Sequence, residues 1–147
     1  MSNLLVVPSQ IAFARTDLLY ITDNVTGVSG MKSGSTTVAS LNLQDLDNCT
    51  TGNAISERRH EFFVSGCNGG TQIYPFGATA PSGALDEQFP ADNLGIGEVS
   101  GHEYVFAPDL FSSSVTFYHV LRDQRMRTRN TGSAQALGIA LKPAGVP

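Results

Sequence analysis

Three histidines sit beside residues that could share chemistry with them. His60-Glu61 and His102-Glu103 pair an imidazole with a carboxylate, the combination common in metal and acid-base sites, and His119 is the third. Neighbouring residues on a strand point to opposite faces, so neither pair converges on one ion. Zinc would need all three histidines to meet without close spacing such as His-x-His. Ser112-Ser113-Ser114 lacks the flanking glycines of a nucleophile elbow, and Asp109 with His102 or His119 completes a triad only by assumption. Gly95-Ile96-Gly97 and the run Gly66–Gly70 lack the lysine of a phosphate loop and the strand-to-helix setting of a dinucleotide site. The expectation is a protein that is not an enzyme and carries no cofactor, catalytic residue or metal site.

Gly66-Cys67-Asn68-Gly69-Gly70 resembles a stretch of papain-like cysteine proteases over five residues. The segment that carries the nucleophile in that family, Cys-Gly-Ser-Cys-Trp, has no counterpart here, and a glycine-rich turn accounts for the run. Tyr20, Tyr74, Tyr104 and Tyr118 lie in strand-like stretches and read as packing residues, since a sugar platform without Trp lacks its best stacking group.

The elements that must position these residues are short strands. Alternation predicts Leu4 to Val7, Ile11 to Phe13, Leu18 to Ile21, Thr36 to Leu43, Glu61 to Val64, Gln72 to Phe76, Glu98 to Phe106, Val115 to Leu121, Arg125 to Arg129 and Leu137 to Leu141. Turn residues at Asp23-Asn24, Gly27 to Gly34, Asn48 to Asn53, Gly66 to Gly70, Gly77 to Gly83 and Asn130 to Ser133 separate them. Ser113 to Leu121 carries bulk on both faces and reads as a central strand. Helical signals at Leu41 to Leu46, Ala84 to Phe89 and Ser133 to Leu137 are too short for independent helices. No internal repeat, heptad pattern or low-complexity tail is visible. Together these predict an all-β fold: one antiparallel β-sandwich or barrel over residues 1–147, with long loops, at most short helical turns and an excursion at about 76–97.

The chain has 147 residues, 41% of them hydrophobic, with 15 Gly and 7 Pro. That suits one globular domain of many short elements. Charged residues are 15%, against a typical value of about 25%, and lysine occurs at Lys32 and Lys142 only. Interface cores are depleted in Lys, Glu and Asp, so the composition points to a surface largely covered by other subunits. A net charge of −4 argues against nucleic acid as partner. The first residues, Met1 to Pro8, have no basic leader and no apolar run long enough for a signal core, which predicts cytoplasmic synthesis and two reduced cysteines, Cys49 and Cys67. No apolar stretch approaches a membrane span.

Charge is segregated along the chain. From Glu61 to Leu121 there is no Lys or Arg, while Asp86, Glu87, Asp92 and four further acids fall there; Arg122, Arg125, Arg127 and Arg129 follow at once. An extended Arg125–Arg129 would set three guanidiniums in a row, suited to carboxylates on a neighbouring copy. Arg122, Arg125, Arg127, Arg129, Asp86, Glu87 and Asp92 are therefore the expected subunit-interface residues. The function expected is structural: a self-assembling homo-oligomer that meets other structural subunits, most concretely in a virion, as a capsid cement or decoration subunit or a small capsid or tail protein. The alternative is a ligand-binding module of lectin-like or adhesin-like type.

Overall fold

A computed structural model describes residues 5, 7–68, 70–85, 90–109 and 111–120, together with the backbone of 124–130. The described part is all-β, antiparallel and without helix. Among the described residues twelve strands form three sheets of four, each a plain up-and-down meander in chain order. Sheet 1 holds β1 (Pro8–Ala14), β2 (Leu18–Asp23), β3 (Gly27–Lys32) and β4 (Ala39–Ser40). Sheet 2 holds β5 (Thr50–Ser56), β6 (Glu61–Gly66), β7 (Gln72–Pro75) and β8 (Gly83–Ala84). Sheet 3 holds β9 (Gly95–Val99), β10 (His102–Pro108), β11 (Ser114–His119) and β12 (Gln124–Asn130).

The sheets stack face to face in the manner of a layered sandwich, and they do not close into a barrel. Sheet 1 meets sheet 2 through Ala14, Tyr20 and Val28 against Ile55, Phe62, Val64 and Tyr74. Sheet 2 meets sheet 3 through Ala54, Phe63 and Ile73 against Val105, Ala107, Tyr118 and Val120. The middle sheet is thus apolar on both faces, and Phe62 and Phe63, neighbours in sequence, serve opposite cores. Three of the four tyrosines, Tyr20, Tyr74 and Tyr118, are buried in these layers. β11 lies between β10 and β12, as the bulk on both its faces predicts.

The sequence shows no repeat, yet the structure has one. Three four-stranded meanders begin at Pro8, Thr50 and Gly95, about 40–45 residues apart. Each has the size and strand order of one blade of a β-propeller. The first strands converge, β5 lying against both β1 and β9, so the sheets radiate from that line.

Gln10 on β1 holds the convergence line. Its side-chain oxygen accepts hydrogen bonds from the backbone N–H of Asn53 on β5 and of Leu94 just before β9, both at 2.9 Å. Its amide nitrogen donates to the Leu94 carbonyl at 2.7 Å. Asn53, fully buried, returns its own amide to the Gln10 carbonyl and to Thr22 Oγ1, while Thr51 Oγ1 donates to the Ala91 carbonyl at 2.6 Å. One side chain thereby ties all three sheets.

Several local expectations change. β5 falls where a turn is predicted at Asn48 to Asn53, because its Thr, Asn and Ser side chains spend their polarity on neighbouring strands instead of alternating with apolar ones. β3 falls within the predicted break at Gly27 to Gly34. Its Gly30 leaves room for Leu41, which would stand 3.1 Å from an added Cβ. The stretch Glu98 to Phe106 is two strands, split at Ser100 and Gly101, whose φ values of 51° and 78° make the tight turn of a two-residue hairpin. Of Thr36 to Leu43 only Ala39–Ser40 is a strand. The stretch 76–97 carries β8 and the Ala91–Asp109 bridge, and its Leu85, Ala91 and Leu94 return to the core between sheets 2 and 3. Leu4, Val6, Leu137 to Leu141 and Ser133 to Leu137 lie outside the described residues.

Cys49 and Cys67 form a disulfide, with their Cα atoms 5.5 Å apart, which replaces the expectation of two reduced thiols. It joins the segment entering β5 to the end of β6, and Cys67 N–H donates to the Cys49 carbonyl at 2.9 Å beside it. A closure of this length is worth about 3 kcal/mol.

Replacing Gln10 by Ala leaves two buried N–H donors without acceptors. Urea unfolding of Gln10→Ala is expected to show a loss of about 2–4 kcal/mol; a loss under about 0.5 kcal/mol, the scale of an ordinary surface change, would show that the three sheets do not depend on it.

Candidate functional site

Among the described residues, the face of sheet 1 turned away from sheet 2 carries two exposed apolar side chains on β1, while Ile21 and Ser29 on the same face are buried. Strand periodicity sends Ala12, Ala14, Tyr20 and Val28 toward sheet 2 and Ile11, Phe13, Leu19 and Met31 the other way. Phe13 pairs with Leu19, and Leu19 with Met31, so the three make a row across three strands. Phe13 is 74% exposed and Ile11 57%, with Leu19 and Met31 half-buried. Beside the row is a hollow of about 450 Å³ edged by Asp17, Lys32 and Ser33. A contiguous apolar row rimmed by polar groups is the signature of a contact surface.

At the other end, the outer face of sheet 3 carries a third apolar cluster of Phe106 and Val115, with Tyr104 and Phe117 half-buried against it. Phe106 and Phe117 meet edge to face, ring centroids 5.0 Å apart. His119 continues this face. Its Nε2 lies 3.3 Å from Nδ1 of His102, and its ring meets Tyr104 edge-on at 5.2 Å.

The histidines do not gather into one site. His60 sits in the β5–β6 turn against Phe76, ring centroids 5.8 Å apart, whereas His102 and His119 are together on sheet 3. Glu103 leaves them for the opposite face, where it accepts a hydrogen bond from Ser56 Oγ. Among the described residues no group of three or more His, Cys, Asp or Glu is placed to hold a metal. Asp109 accepts from Phe111 N–H and from Ser112 Oγ, capping the β10–β11 turn. The hairpin register then puts it at the far end from His119, which pairs with Tyr104. Cys67, in the protease-like run, is bridged.

The expected interface residues are reached in part. Asp86, Glu87 and Arg122 lie outside the described residues. For Arg125, Arg127 and Arg129 the ladder is described and the side chains are not: Arg127 is opposite Phe117 and Arg129 opposite Val115, on the outer-face positions. An irregularity between Phe117 and Tyr118 sets Arg125 opposite Tyr118, so the simple two-residue period does not run through all three. Asp92 is half-buried at the approach to β9, its N–H donating to the Pro108 carbonyl, and burial holds its carboxyl above the usual range. Sequence reasoning passed over Arg58 and Arg59, which bind sheet 2 to sheet 3: Arg58 donates to the Gly101 carbonyl and Arg59 to that of Val120, with Arg59 also 3.0 Å from Glu61. Their position in a turn gave no sign of this.

A hollow of about 400 Å³ lies beside the disulfide, lined by Asp45, Asp47, Ser65, Asn68 and Gln72 among others. Asp47 accepts from the Asn68 backbone and side-chain nitrogens. Near it, Tyr74 donates to the Gln44 carbonyl, and burial, with a smaller push from Asp45, raises its hydroxyl to about 12.

Fold and surfaces thus define a layered antiparallel β protein built of repeated four-stranded sheets. No protein-family model and no curated protein sequence matches the chain. Among solved structures it is similar to hydrazine synthase of Kuenenia stuttgartiensis, with a TM-score of 0.73 and 11% identity, over 91% of this chain and 38% of that one. It is also similar to the computationally designed protein Ika8, with a TM-score of 0.65 and 10% identity, over 92% of this chain and 40% of that one. The chain therefore spans well under half the length of either structure. At these identities the likeness concerns the fold alone.

Asp92 gives a pH test of its buried setting. A carboxyl held above 3.8 in the folded state favours folding below that pH, and the contribution is lost as pH rises through the folded value. Asp92→Asn is expected to be more stable than the parent at neutral pH in urea unfolding, with the difference vanishing below pH 3.8; equal stability at both pH values would show that Asp92 is freely solvated.

Proposed function

We propose that this protein is a structural, self-associating β-scaffold, a component of a larger protein assembly. The carrying observation is the apolar row Phe13, Leu19 and Met31 on the outer face of sheet 1, with Phe13 largely exposed and Leu19 and Met31 half-buried. Keeping such a row in water is unfavourable by roughly 25 cal/mol per Å² of apolar area, which association removes. Low charge and scarce lysine support the same reading. A virion component, such as a capsid cement or decoration subunit or a small capsid or tail protein, is the concrete version; what supports it is composition, together with a disulfide of the kind that persists on virion and other oxidising surfaces. Among the described residues no helix is long and apolar enough to cross a membrane.

A second reading, a ligand-binding module, has one observation in its favour, the polar hollow lined by Asp45, Asp47, Ser65, Asn68 and Gln72. Its hydroxyl, amide and carboxylate groups suit a polyhydroxylated ligand. Saturable glycan binding by a stable monomer, lost in Asp45→Asn, would put this reading first.

Light scattering after size exclusion is expected to show a defined oligomer. Arg127→Glu, placed on the outer-face ladder position of sheet 3, is expected to dissociate it while leaving the circular dichroism spectrum unchanged; a parent chain that stays monomeric at every concentration would sink the assembly reading.

A further inference from the structure

The hairpin of β10 and β11 brings two of the three histidines together. Tyr104 pairs with His119 in its ladder, so two-residue periodicity sets His102, Tyr104 and His119 on one face and sends Glu103 to the other, where Ser56 holds it. Glu98, opposite Glu103 on β9, shares that other face. His102 follows directly on the Ser100-Gly101 turn and is exposed, whereas His119 is 6% exposed. The ring of Tyr104 meets His119 edge-on, centroids 5.2 Å apart, and braces it. Nε2 of His119 then lies 3.3 Å from Nδ1 of His102. The assembly reading uses neither histidine.

That spacing selects among metal geometries. Ligand nitrogens about 2.0–2.1 Å from a tetrahedral ion stand about 3.3–3.4 Å from one another, whereas neighbours in a square-planar site stand about 2.8–3.0 Å apart. The 3.3 Å between the two rings is the tetrahedral value. Imidazole nitrogen suits borderline divalent ions, and among these the tetrahedral arrangement belongs to zinc.

We infer that His102 Nδ1 and His119 Nε2 chelate one zinc ion, with water in its remaining positions. Two protein ligands make an open site, in contrast to a structural one closed by four. The braced, buried His119 is the held ligand, and exposed His102 is the one past which the ion enters from solvent. Without metal, one of the two nitrogens carries the proton between them. With zinc in its place, that ring holds its proton on its other nitrogen, and both donors are neutral. The inference goes beyond the assembly reading and does not rest on it.

The test is a titration of the untagged, chelator-washed chain, its disulfide intact, with zinc chloride by isothermal calorimetry. One zinc per chain is expected. His102→Ala alters an exposed side chain and is expected to fold like the parent but to bind zinc more weakly by about tenfold or more, the least that a change even behind a metal ligand brings. His60→Ala, in the β5–β6 turn away from the pair, is expected to bind as the parent does. Zinc that binds only the folded chain also raises the unfolding temperature, in the parent and in His60→Ala but not in His102→Ala. His119→Ala is expected to lose binding likewise; should it fail to fold, His102→Ala decides alone. No binding by either measure, equal affinity in the parent and His102→Ala, or a loss of affinity in His60→Ala overturns the site. Because zinc is counted per chain at any oligomer mass, such a failure leaves the assembly reading standing.

Discussion

The arrangement of this protein depends on a polar constraint at an apolar junction. Where three sheets converge, backbone groups of β5 and of the residues entering β9 come together away from water and must be paired. Gln10 reaches them with one planar amide that accepts twice and donates once. Asn53, Thr22 and Thr51 complete the seam, so first strands that differ widely in sequence position are held in one register. Close approach is needed as well: a Cβ at Gly52 would lie 2.5 Å from Asn93 Cα, backbone that cannot step aside.

Around that seam the packing follows from burial. Sheet 2, covered on both sides, has the most completely buried strands, and its β5 is buried from end to end. Arg58 and Arg59 with Ser56 and Glu103 form a second polar link, between the β5–β6 turn and sheet 3. The disulfide closes the segment that leads into β5. The middle sheet is therefore the most deeply buried part of the described structure.

That division gives the functional reading its form. Of the potentially chemical residues, His60 is in a turn, Asp109 caps another, Cys67 is bridged and Glu103 is tied to Ser56, while His102 and His119 lie together on sheet 3. The apolar row on sheet 1 has no such internal task. In a chain with two lysines and few charges overall, the exposure of Phe13 and Ile11 is what the assembly proposal rests on.

Much of the local structure was legible in the sequence. Composition and turn chemistry pointed to an all-β antiparallel fold, and the bulk on both faces of Ser113 to Leu121 declared the central place of β11. What could be read was whatever depends on residues near in sequence, since alternation and turns are local effects. β5 was not legible, because Thr50, Thr51, Asn53 and Ser56 look like a polar turn until the strands that accept their hydrogen bonds are in place. Nor was the repeat, because the common element is strand order and packing direction, which the three segments reach with different residues. The exposure of Phe13 was hidden for the same reason: Phe13 and Ala14 are adjacent in sequence, and only the placement of sheet 2 decides that Ala14 is covered while Phe13 is left bare.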